Sequence, residues 1–200
     1  MQIVKWYAKL LYNFRKGILH MKFNAKNMTR IAVMAAVMCI LGPISIPIGP
    51  VPISLTPLAI LLSVYILGTA EGTAAVFIYV ILGAVGIPVF GGFTGGFGII
   101  AGPTGGYILA YVLLALIAGW FIHHFYDKVW LQFLGMCLGT AVLYAFGTLW
   151  LAHVAGMTFM EALAAGVLPF IAGDILKMVL AIALGRAVNK RLDQSEYRAG

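Results

Sequence analysis

The stretch GGFTGGFGIIAGPTGGY, residues 91–107, holds eight glycines in seventeen positions and no charged side chain. Glycine adopts backbone conformations closed to other residues and lets another surface lie directly on the main chain, so the stretch predicts an irregular loop and not a helix. Long apolar segments flank it. Because irregular backbone at membrane depth must be buried in protein or line a polar cavity, we expect this loop to wall a small-ligand cavity. The alternative is a flexible connector.

The composition indicates a membrane protein. Hydrophobic residues make up 62% of the 200-residue chain and charged residues 10%, whereas about a quarter of a soluble domain is charged. Seven of the thirteen lysines and arginines lie in the first thirty residues and four in the last fifteen. Basic ends of this kind are typical of cytoplasmic termini. The net charge of +7 therefore indicates membrane orientation and not nucleic-acid binding.

Six apolar segments predict six transmembrane helices, at residues 27–41, 58–70, 73–89, 106–122, 131–154 and 162–187. A short turn at 68–72 joins the second to the third, and Pro169 and Gly173 interrupt the sixth. The second and third segments are short for a full span of roughly 17 to 25 residues, so parts of the flanking loops must lie at membrane depth. We expect an all-α integral membrane protein with a basic N-terminal arm (1–26), a six-helix domain (27–190) and a polar tail (191–200).

The distribution of basic residues predicts the orientation of this bundle. The connecting segments 42–57, 90–105 and 155–161 contain no lysine or arginine, which places them outside by the positive-inside rule. Both termini are then cytoplasmic, and the basic arm could lie as an amphipathic helix on the inner membrane face. The proline-rich connector 42–57 and the glycine stretch would meet as Gly/Pro-rich loops on the outer face.

Small residues at four-residue spacing mark two candidate helix-packing faces. Ala32 and Ala36 lie one turn apart on the first predicted helix, and Gly135 and Gly139 form a GxxxG pair on the fifth. Such residues let helices approach closely in lipid. We therefore expect packing or docking at both faces.

The spacing of cysteine and histidine predicts no metal site. Cys39 and Cys137 stand alone in apolar segments, without a CxxC motif, so we expect two free buried thiols. His123 and His124 are neighbours, and adjacent residues on a helix point to different faces. We interpret them as part of an interfacial loop.

Two ionisable residues lie deep in an apolar segment, Asp174 and Lys177 of GDILKM. Each costs roughly 2.5 to 3.5 kcal/mol near the bilayer centre, so such residues face the bundle interior and usually pair. Their spacing of three places them on one helix face. Asp174 is twelve residues into the predicted helix, about 18 Å along it and near mid-membrane. The pair suits a ligand with N–H and C=O groups in one planar unit; a purely structural ion pair and a proton relay remain alternatives.

Motifs for ATP use or catalysis are missing from the sequence. It contains no GxxxxGK[ST] motif, no HExxH, and no serine or cysteine grouped with a histidine and an acid. The chain is therefore not expected to hydrolyse ATP or to be an enzyme. An intramembrane enzyme using Asp174 and Lys177 as acid and base would need a further polar partner. A stand-alone channel or facilitator for a small solute is the main alternative to a ligand-capture protein.

Four motifs follow one another along the chain: VPISLT (51–56), GIPVFGGFTGGFG (86–98), GPTGGY (102–107) and GDILK (173–177). In this order they resemble the BioY family, the biotin-specific S components of energy-coupling factor (ECF) transporters, and the likeness covers most of residues 28–190. The resemblance implies a six-helix, multi-pass protein of the cell membrane that captures biotin from outside. It also implies a transmembrane T component and two ABC-type ATPases as partners, which alone use ATP, and no cofactor in this chain.

The resemblance also assigns candidate residues. Asp174 and Lys177 match the family's acid and lysine, with the ureido ring of biotin as their partner, and Ala32 and Ala36 match the face that docks to the T component. Three positions depart from the family pattern: Thr94 stands where Asn occurs, Phe93 where glycine is common, and Thr56 where Gln is frequent. The expected substrate-binding set is Asp174, Lys177, Thr94, Gly95, Gly96, Phe93, Thr56 and Tyr107.

The residue types in this set have matching chemistry. Thr56 and Thr94 can each donate and accept one hydrogen bond. Phe93 and Tyr107 could cover a thioether ring and an aliphatic tail.

Overall fold

The computed structural model describes residues 25–47 and 50–199, with side chains as far as residue 192. Most of the predicted basic arm lies outside these residues. The elements in chain order are α1 Ala25–Leu41, β1 Ser45–Ile46, β2 Ile53–Ser54, α2 Thr56–Leu67, α3 Thr69–Ala84, α4 Phe97–Ala101, α5 Gly105–His124, α6 Val129–Ala155, α7 Phe159–Gly166 and α8 Ile171–Ala199. The protein is thus mostly helical.

Two of the described helices, α5 and α6, are long and apolar enough to cross a membrane. Helix α7 and the part of α8 up to Leu192 meet at 48° and form a third candidate span if they are taken as one broken helix. Helices α2 and α3 are apolar but shorter. The described part of the chain therefore supports two or three spans by length and composition, and the six-span topology stays a prediction.

The turn between α2 and α3 is tighter than predicted. Instead of the five residues 68–72, Gly68 alone separates the helices, with a φ of 85° that favours glycine. Gly72 packs directly on the backbone of Val64, and the Ser63 hydroxyl donates to the Gly72 carbonyl at 3.2 Å. Because Gly72 has no side chain, the two helices can touch, and α3 begins directly after Gly68.

Two loop predictions need correction. The glycine stretch is not wholly irregular, because the apolar run Phe97–Ala101 between its glycines forms helix α4 with Ile100 buried. The proline-rich connector adds a small antiparallel ladder, in which β1 and β2 pair Ser45 with Ser54 and Ile46 with Ile53. The fold is therefore not strictly all-α. Extended backbone favoured by the prolines allows this pairing.

The last predicted helix is two helices. Pro169 lacks an N–H and obstructs a continuous helix, so the helical structure is interrupted between Gly166 and Ile171. Gly173, in contrast, lies inside α8. Helix α7 starts earlier than predicted because Thr158 and Glu161 form a capping box. Helix α8 continues past the predicted end at residue 187, to Ala199.

Helices α5 and α6 form a closely packed pair. Gly135 lies against Phe121 and Gly139 against Leu114, which confirms the predicted packing role of the GxxxG pair. Helix α5 runs two residues beyond its predicted end, so His123 and His124 belong to its last turn and not to a loop. The His124 ring stacks on the Trp120 ring, with centroids 5.2 Å apart, which favours continuing the helix.

A polar network joins α2, α6 and α8 at the end of the bundle away from the β ladder. Gln132 is fully buried; it accepts a hydrogen bond from the Tyr65 hydroxyl at 2.8 Å and donates to the Tyr126 carbonyl at 2.6 Å. Arg186 donates to the Tyr65 hydroxyl at 3.2 Å, and Asn189 donates to the Tyr65 carbonyl at 3.1 Å. The hydrogen bonds of Gln132, Arg186 and Asn189 to Tyr65 therefore join α6 and α8 to α2.

The two cysteines are free, as predicted. Both are half-buried, not fully buried. The Cys137 thiol lies 3.8 Å from the Met178 sulfur.

Candidate binding site

A cavity of about 40 Å³ lies between the connector, α5, α6, the break before α8 and the first turns of α8. By this measure a single water needs roughly 10 to 15 Å³, so the cavity has room for a few polar atoms. Its lining combines one acid, one lysine, one serine and three tyrosines with apolar side chains and one glycine. The lining residues are Val51, Pro52, Ser54, Pro57, Tyr107, Tyr111, Leu143, Tyr144, Gly166, Phe170, Asp174 and Lys177.

Asp174 and Lys177 form a buried ion pair on this cavity. The Lys177 ammonium donates to Asp174 Oδ1 at 2.7 Å, and the two residues are 5% and 7% exposed. The predicted pairing on one helix face is thus confirmed. Its place in the helix differs from the prediction, because the break puts Asp174 in the first turn of α8 and not twelve residues into a helix. A negative charge is favoured there by the helix dipole.

Tyr144 is a further partner of this ion pair. Its hydroxyl donates to Asp174 Oδ2 at 2.6 Å. Because Lys177 takes the other oxygen, each carboxylate oxygen has its own donor. A buried charge needs such partners to be tolerated.

Two hydroxyl groups from the connector lie at or beside the cavity. Ser54 lines the cavity and donates to the Thr56 hydroxyl at 3.1 Å. Both hydroxyls interact with the phenol of Tyr111, which also lines the cavity. Thr56, 1% exposed, begins α2 directly before Pro57, which is well suited to the first turn of a helix. It stands behind Ser54 and not on the cavity itself.

Tyr107 is held on the cavity by two glycines. Its ring lies against Gly147 of α6 and its hydroxyl against Gly166 at the end of α7, and a Cβ at either position would collide with it. The hydroxyl is also 3.4 Å from that of Thr148. Tyr107 therefore contributes a fixed aromatic wall.

The glycine-loop candidates lie away from the cavity wall. The Thr94 hydroxyl donates to the Gly91 carbonyl at 3.0 Å, and Phe93 is 71% exposed with a φ of 58°. Gly95 packs on the backbone of Ile87, and the Gly96 N–H donates to the Gly83 carbonyl at 2.7 Å. The structure thus brings Asp174, Lys177 and Tyr107 to the cavity, with Thr56 behind them, while ligand contact by the loop stays a prediction.

Comparison with known proteins places the chain in a family. Residues 15–194 match the model of the BioY family. The chain belongs to the BioY family. It is 40% identical to the probable biotin transporter BioY of Pyrococcus horikoshii, over 80% of this chain and 94% of that protein. It is 35% identical to the biotin transporter BioY2 of Lactococcus lactis, over 84% and 93%.

A solved structure is also similar to this BioY-family chain. It is the crystal structure of the S-component for biotin from an ECF-type ABC transporter. The TM-score is 0.77 at 30% sequence identity, and the match covers 82% of this chain and 91% of that one. These relatives are transporters and not enzymes, and the apolar helices agree with a membrane protein.

Sequence reasoning missed three polar residues of the cavity in this BioY-family protein: Ser54, Tyr111 and Tyr144. Two of them carried a signal. Ser54 lies within the VPISLT motif, and Tyr111 follows Tyr107 by one helical turn on the same face. No sequence pattern indicated Tyr144, because only the tertiary contact between α6 and α8 brings it to Asp174, thirty residues away.

The candidate docking face of the BioY-family protein is exposed. Ala32 and Ala36 lie on the outer side of α1, whereas the buried residues of that helix are Ile31, Met34, Ala35 and Met38. Two large apolar neighbours, Val33 and Ile40, share the exposed side. The face is therefore accessible to lipid or to a partner helix, and docking there stays a prediction.

Proposed function

We propose that this protein is the substrate-capture (S) subunit of an ECF-type vitamin importer and that it binds biotin. The observation that carries the proposal is the buried Asp174–Lys177 pair on a cavity lined by polar and apolar side chains. The names of the relatives, which are biotin transporters, and the similar biotin S-component support it. Binding involves no chemical change of the ligand.

The ion pair matches the ureido ring of biotin. That ring offers two N–H donors and one carbonyl acceptor in a plane, and the pair offers a carboxylate and an ammonium side by side. In a buried site of low dielectric, charge-assisted hydrogen bonds to such a ligand are stronger than neutral ones. Tyr107, Leu143 and Phe170 supply apolar walls for the rest of the molecule.

The wider assembly belongs to the same proposal. The chain crosses the cell membrane several times, in six spans with both termini in the cytoplasm, and takes biotin from the outer face. A transmembrane T component docks at Ala32 and Ala36, and two ABC-type ATPases supply the energy. ATP is used only by those partners, and this chain needs no cofactor.

Calorimetry with the purified protein tests the capture function. We expect one biotin to bind per chain without ATP, in preference to a panel of other vitamins. The variants Asp174→Asn and Lys177→Met should each lose at least 100-fold in affinity, because the remaining charge is left buried and unpaired. Full affinity in both variants would contradict the assigned site.

A matched control uses an aspartate and a lysine that lie outside the cavity. Asp127 and Lys128 lie in the exposed turn between α5 and α6. The variants Asp127→Asn and Lys128→Met should therefore bind biotin as the unmodified protein does. Biotin flux into liposomes containing this chain alone would instead favour the channel alternative.

A further inference from the structure

Tyr144 joins helix α6 to the ion pair at the start of α8. Its hydroxyl donates to Asp174 Oδ2 at 2.6 Å while the Lys177 ammonium donates to Oδ1 at 2.7 Å. Both distances fall in the range of charge-assisted hydrogen bonds. The carboxylate is therefore held from two helices, with one donor at each oxygen.

The part of α6 that carries Tyr144 packs against the rest of the protein. Its neighbour Leu143 is buried in the core, and Thr148, one turn further along α6, contacts the Tyr107 hydroxyl at 3.4 Å. The break before Ile171 frees the start of α8 from the helix that precedes it, so α6 supplies an external support for Asp174. A tyrosine has few rotatable bonds and loses little entropy when it holds this position.

We propose that Tyr144 is a positioning residue for ligand binding, which fixes the plane of the Asp174 carboxylate. A carboxylate has about four acceptor sites, and Tyr144 and Lys177 occupy two of them. The fixed plane keeps the others in one orientation for ligand N–H groups, in a site that is preorganised before binding. The identity of the ligand in this inference rests on the proposed function, whereas the orientation of the carboxylate is independent of it.

The role in binding is tested with Tyr144→Phe, which removes only the hydroxyl. We expect biotin affinity to fall about tenfold, the lower end for a hydrogen bond to a charged group. Incorporating 3-fluorotyrosine at position 144, which keeps a donor, should restore affinity. Unchanged affinity in the phenylalanine variant, or a fluorotyrosine protein as weak as that variant, would overturn the proposal.

The matched control is Tyr65→Phe. Tyr65 is 3% exposed and donates to Gln132 Oε1 at 2.8 Å, and it does not line the cavity. Its variant should bind biotin with unchanged affinity. An equal loss in both variants would show a general effect of removing a buried phenol and would count against the positioning role.

Infrared spectroscopy of the ligand-free protein tests the contact independently of biotin. The chain has three aspartates, Asp127, Asp174 and Asp193, so carboxyl-¹³C aspartate labelling gives a simple spectrum. We expect the carboxylate band of Asp174 to shift in Tyr144→Phe and to stay in Tyr65→Phe. No shift would overturn the inference, whereas a shift in a protein that fails to bind biotin would overturn the proposed function alone.

Discussion

At the scale of single residues, the aromatic wall of the cavity depends on glycines, which have no side chain. Tyr107 fits on the cavity because Gly147 and Gly166 leave space for its ring and hydroxyl. Asp174 similarly depends on donors from Lys177 and Tyr144. Lys177 can be predicted as a partner from the sequence, because it lies three residues after Asp174 on the same helix face. Predicting Tyr144 requires knowledge of how α6 and α8 pack.

The glycine next to Tyr107 gives a residue-scale prediction. Gly147→Ala places a methyl group into the ring of Tyr107, and overpacking of this kind costs about 1–3 kcal/mol. We expect a lower thermal unfolding temperature and weaker biotin binding, measured in detergent. Gly98→Ala, where a Cβ has open space within helix α4, should leave stability unchanged or raise it slightly. A Gly147→Ala protein as stable as the unmodified one would contradict the packing argument.

At the scale of elements, the break between α7 and α8 places the ion pair. Pro169 prevents one continuous helix, so Asp174 sits in the first turn of α8, where the unpaired N–H groups of a helix start favour an anion. Discontinuous helices with this geometry are a recurrent way to build sites inside membrane proteins. The sequence located the interruption near Pro169, but Gly173 proved to be helical.

At the same scale, the hydrogen-bond network around Gln132, away from the ion pair, gives a prediction about stability. Gln132→Leu removes the acceptor of the Tyr65 hydroxyl, which leaves this buried donor unsatisfied at about 1–3 kcal/mol, whereas the Tyr126 carbonyl keeps its hydrogen bond from Arg186 at 3.0 Å. Thermal unfolding should occur at a lower temperature. Biotin affinity of the folded protein should not change, because Tyr144 lies twelve residues, or about 18 Å, further along α6.

Tyr126→Phe is the control for this network. The Tyr126 hydroxyl makes only a 3.4 Å contact with Asn189, so its loss should lower the unfolding temperature less than Gln132→Leu does. Equal effects of the two variants would show that Gln132 is not the centre of the network.

At the scale of the whole molecule, the cavity and the candidate docking face lie on different surfaces. The cavity is lined by residues of α5, α6, α8 and the connector, whereas Ala32 and Ala36 are exposed on α1. A protein with this division could bind its ligand alone and still need partners for transport. This agrees with membership of a family of transporters and with the absence of a P-loop motif from the sequence.

Bulky residues on α1 test this division. In the double variant Ala32→Leu and Ala36→Leu, added volume should prevent close helix approach without reaching the cavity. We expect unchanged biotin affinity of the isolated chain and strongly reduced biotin uptake by cells that contain the complete transporter. The variant Val33→Leu, on the same exposed side, should retain uptake. Full uptake by the double variant would exclude this face as the docking site.

The sequence by itself determined the membrane character, the ordered motifs and the Asp174–Lys177 pair, because composition and helical spacing are local properties. It overestimated the irregularity of the glycine stretch, where α4 forms, and the length of the turn at Gly68. Only the tertiary structure decided which polar groups surround the cavity. Tyr144 and Asp174 are thirty residues apart, and their contact depends on the packing of α6 against α8, which no local pattern specifies.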